Sequence, residues 1–583
     1  MDGLGILKKG YEKNYNQRNV HTLKSGRGVM SSKVLSCYLI GETGLAIKCA
    51  EILLEKGWKI LGFISKDAII QNWARQNHIS FCSSIDEARI NLQEIEFDYI
   101  FNIASSTILL SWLLNQPRQL AINYHDAPLP HYAGAHATSW AILNNEKQHG
   151  ITWHIMTEQI NEGDILKQSA FEVSDTETVL SLNVKCYERG IQDFRELINA
   201  LIDGNIKRVS QTKSQRTFFH RNKKPLGGGI LDWSLKAKEI ECLCRAIDFG
   251  TYQNHLVAPK LVIAPGTVYI PLKCKSLPSQ GDDNPGEIIS LTDSSLEVST
   301  SEGIIKIGGF LDEHSNELSP LAIKQRHHLV EKQCLPIFSK EYLKKFTEKL
   351  ESYNSSESYW IKQWQNAQPC QLPWKYTPIS SGTNVKTISW FLPEDVKQSL
   401  KQYQNTHHAI IAASLTYLSK LTQKTDFTLY FQDESLAATH QEYPGLLADF
   451  IPFNVTIRLQ GGFRAVYQHI EDKLTEIKNH NNYPIDLMHR YRQILKDIPQ
   501  LSMALILTAT PDKVCLPSSV SLGVIIDSYN QNIYIKTNLP DECLEYINHI
   551  PSQLEGLFFQ VLNKPEVPLQ QISLITAQEL MLL

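Results

Sequence analysis

Patterned sequence begins near residue 33. An apolar run (VLSCYLIG, 34–41) is followed by a segment with helical spacing that stops at Gly57 (ETGLAIKCAEILLEKG), then by a second apolar run, WKILGFIS. Short apolar runs bounded by turn residues predict strands buried on both faces, and the 3.6-residue spacing predicts an amphipathic helix. FDYIFNIAS (97–105) and QLAINYH (119–125) predict two further strands, with a helix expected in TILLSWLL between them. This alternation implies a mostly parallel sheet with helices on both faces.

A long helix is expected over about 176–203. The polar, basic stretch from 205 to 229, ending in KKPLGGG, reads as a linker. Beyond it, ILDWS, a helical LKAKEIECLCRAID and short strands with turn signals (KLVIAPGTVYI, GEIISLTDSSLEVSTSEGIIKIGGF) suit a small β-barrel. A second connector leads to a mixed α/β region with its own strands (FTLYFQD, SMALILTA, SLGVIID, NIYIKTN). The expected organisation is a tail (1–32), an α/β domain (33–205), a linker (206–229), a β-barrel domain (230–330), a connector (331–358) and a terminal α/β domain (359–583).

Composition narrows the class. A net charge of −4 over 583 residues gives no global electrostatic case for a nucleic-acid partner. No apolar run approaches the roughly 18 residues needed to span a bilayer, so no membrane association is expected. Residues 1–29 lack the apolar core of a signal peptide. The 11 cysteines are scattered without CxxC pairs and read as reduced thiols of a cytoplasmic protein. Gly41 and Gly44 frame a tight turn and form no GxGxxG fingerprint.

The candidate chemistry lies in AINYHDAPLPHYAG, 121–134. Asn123 and His125, two apart on a strand, point the same way, and Pro128, Pro130 and Gly134 then throw the chain into a loop. Downstream, HGITWHIM alternates as a strand and TEQINEGD forms an acidic turn. An amide, an imidazole and nearby carboxylates suit acyl transfer to an amine. The amide N–H and an imidazolium would stabilise an oxyanion, and the imidazole could carry the amine's proton. Taken singly, an Asn and a His at a strand end are more often structural. His125, His131, His136, His149 and His154 follow no standard metal-ligand spacing, so no metal is expected.

NYHDAPLPHYAG, HGITWHIM and INEGDIL, in that order and spacing, resemble the folate-dependent formyltransferase family, which includes methionyl-tRNA, glycinamide ribonucleotide and sugar-nucleotide formyltransferases. The stretch from ILDWS to about 325 is similar to the C-terminal barrel domain of the methionyl-tRNA enzyme, so the resemblance spans roughly 33–325. It implies a Rossmann-like catalytic domain, an OB-like barrel and 10-formyltetrahydrofolate as co-substrate. Asn123 and His125 match the family's catalytic pair. Ser106, Thr107, Ile108, Leu109 and Leu110 fall where its pterin-binding backbone lies. The turn 157–164, with Thr157, Glu158, Ile160, Gly163 and Asp164, matches its second folate-contacting loop. The family's third catalytic residue, an aspartate, falls on Asn161, which cannot stabilise His125 as a cation; Glu158, Glu162 and Asp164 are candidate substitutes.

In the last region, YWIKQWQNAQPCQLPW, SWFLPEDVKQSLKQYQNTHHAIIAASLTYLSKLT, LLADFIPFNVTIRL and YPIDLMHRY follow in an order that resembles the second lobe of a nonribosomal peptide synthetase condensation domain, of the CoA-dependent acyltransferase fold. NKPEVPLQQISLITAQELMLL is similar to the tail leading into an adenylation domain. The HHxxxDG motif of the first lobe is missing, so this lobe is expected to be a docking platform for adenylation or carrier domains.

Three readings follow. The first is a formyltransferase acting on a carrier-bound aminoacyl starter or a related primary amine. The second is an impaired formyltransferase fold serving as a scaffold. The third is a methionyl-tRNA formyltransferase, which the acidic balance and the HYAGAHATSW loop disfavour and the basic stretch 207–224 keeps open.

Overall fold

The computed structural model describes residues 34–279, 281, 283–374 and 385–575. The expected tail 1–32 and the last residues of the closing segment lie outside them. Described residues up to Ile122 form one compact unit and those from Asn123 onward a second.

In the first unit, β1 (Ser36–Gly41), β2 (Lys59–Ile64), β3 (Phe81–Cys82) and β4 (Tyr99–Ile103) are parallel in the order β3-β2-β1-β4. Every residue of β1 and β4 is buried, which explains the unbroken apolar text: a parallel strand covered on both faces has no solvent side to alternate with. Crossover helices Gly44–Glu55, Ala68–Gln76 and Ile85–Glu94 connect the strands. Asp67 and Ser84 cap the latter two through Ile69 N–H and Glu87 N–H. Buried Asp98 accepts Ser36 N–H and Oγ–H at 3.0 Å each and meets Arg118 Nη2 at 3.3 Å, which fixes the entry into β4.

One expectation changes here. Of TILLSWLL only Ser111–Leu114 is helical, while 106–110 are non-helical and lead into it. The run has no polar side to match a helix: Leu109 is buried, but Ile108 and Leu110 are 69% and 63% exposed. Strand β5 (Leu120–His125) carries the chain from the first unit into the second.

In the second unit, a two-residue strand β6 (Ala133–Gly134) follows the Pro-rich loop, and β7 (Gln148–Ile155) pairs antiparallel with β8 (Ile165–Glu172). The helix Val179–Ile202 begins at a Thr178/Ser181 capping box and buries Phe194, Leu197 and Ile198. The stretch expected as a linker is structured instead. Its β9 (Phe218–Phe219) pairs in parallel with β6, and Val209 bridges Ile165.

Two four-stranded sheets follow between Leu261 and Leu318. They share a core with Trp233, Ile240 and Leu243, and the helix Lys340–Tyr353, inside the expected second connector, buries Leu343, Phe346 and Leu350 in that same core. The terminal region is built on a six-stranded mixed sheet between Lys386 and Thr537. Its helix Thr406–Thr422 is buried at every position from Ala409 to Ser419, as a helix apolar all round must be.

A buried ionic network ties the terminal region to the region of the two four-stranded sheets. Lys260 Nζ meets Asp486 Oδ2 at 2.5 Å, both side chains fully buried. Arg490 binds Glu357 through two nitrogens at 3.0 and 2.6 Å and also reaches Asp486 at 3.2 Å. Burial alone would push Lys260 down and Asp486 up; the pairing holds the Asp486 carboxyl well below the usual carboxylate range, so the pair stays charged. No helix among the described residues is long and apolar enough to cross a membrane.

Candidate active site

The site grows out of the end of β5, where the pleat aims Asn123 and His125 to one side. Thr152 clamps the following loop, accepting from Leu129 N–H at 3.2 Å and donating to Ala127 O at 2.7 Å; Gln168 Nε2 donates to Leu129 O at 2.8 Å. Gly134 is required by geometry: its φ is +100°, and a Cβ there would lie 2.1 Å from Phe219 O.

His154, on β7, organises the site. Its Nδ1–H donates to Ile155 O at 2.8 Å, so Nε2 carries the lone pair. That nitrogen accepts from Asn123 Nδ2 at 3.1 Å and from Asn161 Nδ2 at 3.3 Å. Burial is the main cause that pushes His154 down to about 4, with the nearby His125 adding to it, so the ring is neutral near pH 7. Asn161 completes the bridge by accepting Gly134 N–H on Oδ1 at 3.0 Å. It sits at a φ of 58°, in the left-handed region that asparagine tolerates best among residues with a Cβ.

Asn161 therefore faces a neutral imidazole, and its hydrogen-bond partners are His154 and Gly134. His125 is buried, and its Nε2–H donates to Tyr132 O at 2.9 Å. The other ring nitrogen, Nδ1, lies 3.7 Å from Asp126 Oδ1. The carboxylate beside His125 is thus the next residue in the chain. The acids proposed from sequence are engaged elsewhere or exposed: Asp164 accepts from Ser210 Oγ at 2.9 Å, Glu162 meets Arg216 at 3.4 Å, and Glu158 is exposed. His149 donates Nε2–H to Asp126 O at 2.7 Å, while its Nδ1 is buried without a partner among the described residues.

The turn 157–164 is braced by the former linker. Gln211 Nε2 donates to Asn161 O at 3.0 Å and Gly163 O at 2.7 Å, and Arg216 Nη2 donates to Ile160 O at 3.0 Å. Thr157 Oγ1 donates to Gln159 O, and a Cβ on Gly163 would lie 1.9 Å from Ile155 O. In the first unit, Ser106–Leu109 spend no peptide group on a helix ladder, whereas Leu110 O accepts Leu113 N–H at 2.9 Å and Leu114 N–H at 3.1 Å; Ser105 Oγ accepts Thr107 N–H at 3.1 Å. Ile108 and Leu110 are exposed beside those peptide groups. Among the described residues no three His, Cys, Asp or Glu side chains are grouped to hold a metal ion.

From the sequence His154 is weighed only as a metal ligand, and Asp126 and the 209–219 brace are not singled out. One signal was available: Asp126 adjoins His125.

Residues 66–198 match the Formyl transferase family. The chain is 26% identical over 285 residues to the methionyl-tRNA formyltransferase of Alkaliphilus oremlandii, covering 46% of this chain and 89% of that protein. It is 23% identical over 289 residues to the corresponding enzyme of Clostridioides difficile, again covering 46% and 89%. Among solved structures, the N-formyltransferase from Helicobacter canadensis, in complex with folinic acid and dTDP-3-aminofucose, matches with a TM-score of 0.40 at 19% identity, over 48% of this chain and 99% of that one. Residues 66–198 thus resemble a formyl transferase domain, and the chain falls in the class of one-carbon transferases.

Proposed function

We propose that the protein transfers a formyl group from 10-formyltetrahydrofolate to a primary amine, the acceptor being an aminoacyl thioester that starts a nonribosomal peptide, presented by a carrier domain. The observation that carries this reading is the pairing of a buried imidazole, His125, with Asp126 beside the Asn123–His154–Asn161 bridge. The residues fit the folate: in the second unit, the braced 157–164 turn would hold it. When bound, it supplies an activated formyl group.

The chain's own residues do the rest. The attacking amine must be neutral; its proton would pass to His125 Nδ1, beside Asp126, and then to the nitrogen whose bond to the formyl carbon breaks. Nε2–H stays on Tyr132 O throughout, so the ring does not turn. An Asn123 amide hydrogen is held by His154, which sets the amide on the strand that carries His125. His154, being neutral, holds both amides without adding a charge that would compete with His125.

The terminal region is proposed to be a condensation-type half-lobe that docks neighbouring adenylation or carrier domains. The test is a mass-spectrometric assay with 10-formyltetrahydrofolate and carrier-bound aminoacyl thioesters. Turnover that falls by about 10²-fold or more in His125→Ala supports the reading; undiminished turnover in both His125→Ala and Asn123→Ala sinks it.

A further inference from the structure

We infer that His136, Arg221 and His255 form a rim that takes a phosphate group carried by the amine acceptor, with Tyr491 of the terminal region holding His255 in place. The inference rests on the amine-formylation reading and specifies its substrate class.

The rim is tied to the site by backbone. Gly134 N–H donates to Asn161, Ala135 N–H donates to Phe219 O at 2.9 Å, and His136 follows directly. Two residues of chain reach at most about 7 Å, so His136 lies within about that distance of the Gly134 peptide that Asn161 holds. The β6–β9 pairing brings 220–224 alongside: His136 hydrogen-bonds the Arg221 carbonyl through its ring, and its Nε2 is buried without a partner among the described residues. Such an atom is costly to keep unless something completes it. The Arg221 side chain is exposed and makes no ion pair among the described residues.

The third wall comes from the region of the two four-stranded sheets and the terminal region together. His255 Nδ1 meets Tyr491 Oη at 2.9 Å, and Asn254 and Arg490 exchange backbone and side-chain bonds at 3.2 and 3.1 Å. Lys224 Nζ donates to His255 O and Leu256 O at 2.9 Å each. Three buried cations, Lys224, Lys260 and Arg490, face two buried carboxylates, Glu357 and Asp486, and the nearby surface pair Lys223–Glu351 is neutral. One positive charge is uncompensated, and Arg221 adds another. Both histidines register this field. After burial, the main cause, the charges of Lys224 and Arg221 help to push His136 down to about 3, and Arg490 helps to lower His255. An anion at the rim would reverse that push, and His136 would take a solvent proton on Nε2 to donate to it.

Calorimetric titration of the full chain without folate tests the rim directly, using 4′-phosphopantetheine and pantetheine as probes. The phosphorylated probe is expected to bind at least ten-fold more tightly, and Arg221→Ala to remove most of that difference. Equal binding of the two probes, or an unchanged preference in Arg221→Ala, overturns the rim. A nucleoside-diphosphate amino sugar forms a second arm: tighter binding than phosphopantetheine identifies a nucleotide as the source of the phosphate, and weaker binding identifies the carrier arm. Tyr491→Phe is expected to raise KM for a phosphorylated amine at unchanged kcat; a fall in kcat alone removes Tyr491 as a positioning residue. The titration needs no turnover, so a chain that binds phosphate yet transfers no formyl group keeps the rim and overturns the formyl-transfer reading.

Discussion

Asp126 Oδ1 stands 3.7 Å from His125 Nδ1, on the side of the ring that Tyr132 O leaves open. The carboxylate lies beside the nitrogen proposed to receive the amine's proton. Asp126→Asn keeps the shape and removes the charge. Formyl transfer is expected to fall by about 10²-fold in kcat/KM, the low end of general acid–base assistance. Wild-type kinetics in Asp126→Asn, alongside an inactive His125→Ala, would remove Asp126 from the mechanism.

Asn161→Asp is expected to harm the protein and to restore no missing catalytic acid. Its side chain points at the lone pair of His154 Nε2, 3.3 Å away. A carboxylate there meets a lone pair with no proton between them, inside a buried site. The cost at pH 7 is on the order of 2 kcal/mol, the scale for an unsatisfied buried polar group. His154, held at about 4 in the native chain, should titrate at higher pH in the variant. Histidine NMR titration and urea unfolding check both effects; a more stable and more active Asn161→Asp protein would refute the pairing argued here.

The neutral His154 also makes the fold sensitive to acid. Its folded value of about 4 lies below the ordinary 6.5, so the unfolded chain binds this proton first as pH falls. The stabilisation is complete above about 6.5 and is lost progressively toward 4. It amounts to about 3 kcal/mol at most. His136, pushed down to about 3, acts in the same direction. Urea midpoints measured from pH 7.5 to 4.5 should decline, and His154→Gln should flatten the decline; identical slopes in the two proteins would discount His154 as its source.

The two four-stranded sheets and the terminal region should unfold together. Lys260 and Asp486 are fully buried against one another, and removing one partner strands the other charge. Asp486→Ala is expected to cost about 3–5 kcal/mol, and Lys260→Met combined with Asp486→Leu to recover much of it. Fluorescence near Trp233 in the core of those sheets and Trp360 in the terminal region should report one shared transition in wild type. Two separated transitions would show that the network does not couple them.

Strong periodicity made most of the framework legible. The runs at 34–41, 58–65 and 97–105 became parallel strands with mostly buried side chains, and 119–125 became β5. The helix expected at 107–114 shrank to four residues, since Ile108 and Leu110 are turned outward and no polar face marks a solvent side. Asn123 and His125 could be singled out because an i, i+2 pair before a proline turn is a local signal. His154 could not, because the atoms it receives come from 31 residues before it and 7 after. Residues 205–229 misled for a related reason: low apolar content hides a two-residue strand whose partner is Ala133–Gly134, about 85 positions earlier.

That short pairing decides what a gene fragment would encode. A chain stopped after the helix Val179–Ile202 would keep the histidines and their strands yet lose Phe219, the backbone that seats Gly134, together with Gln211 and Arg216, which grip the 157–164 turn. The smallest inheritable piece that carries this site therefore runs past the apparent domain edge. A splice made at residue 205 would transplant the ingredients without the mould.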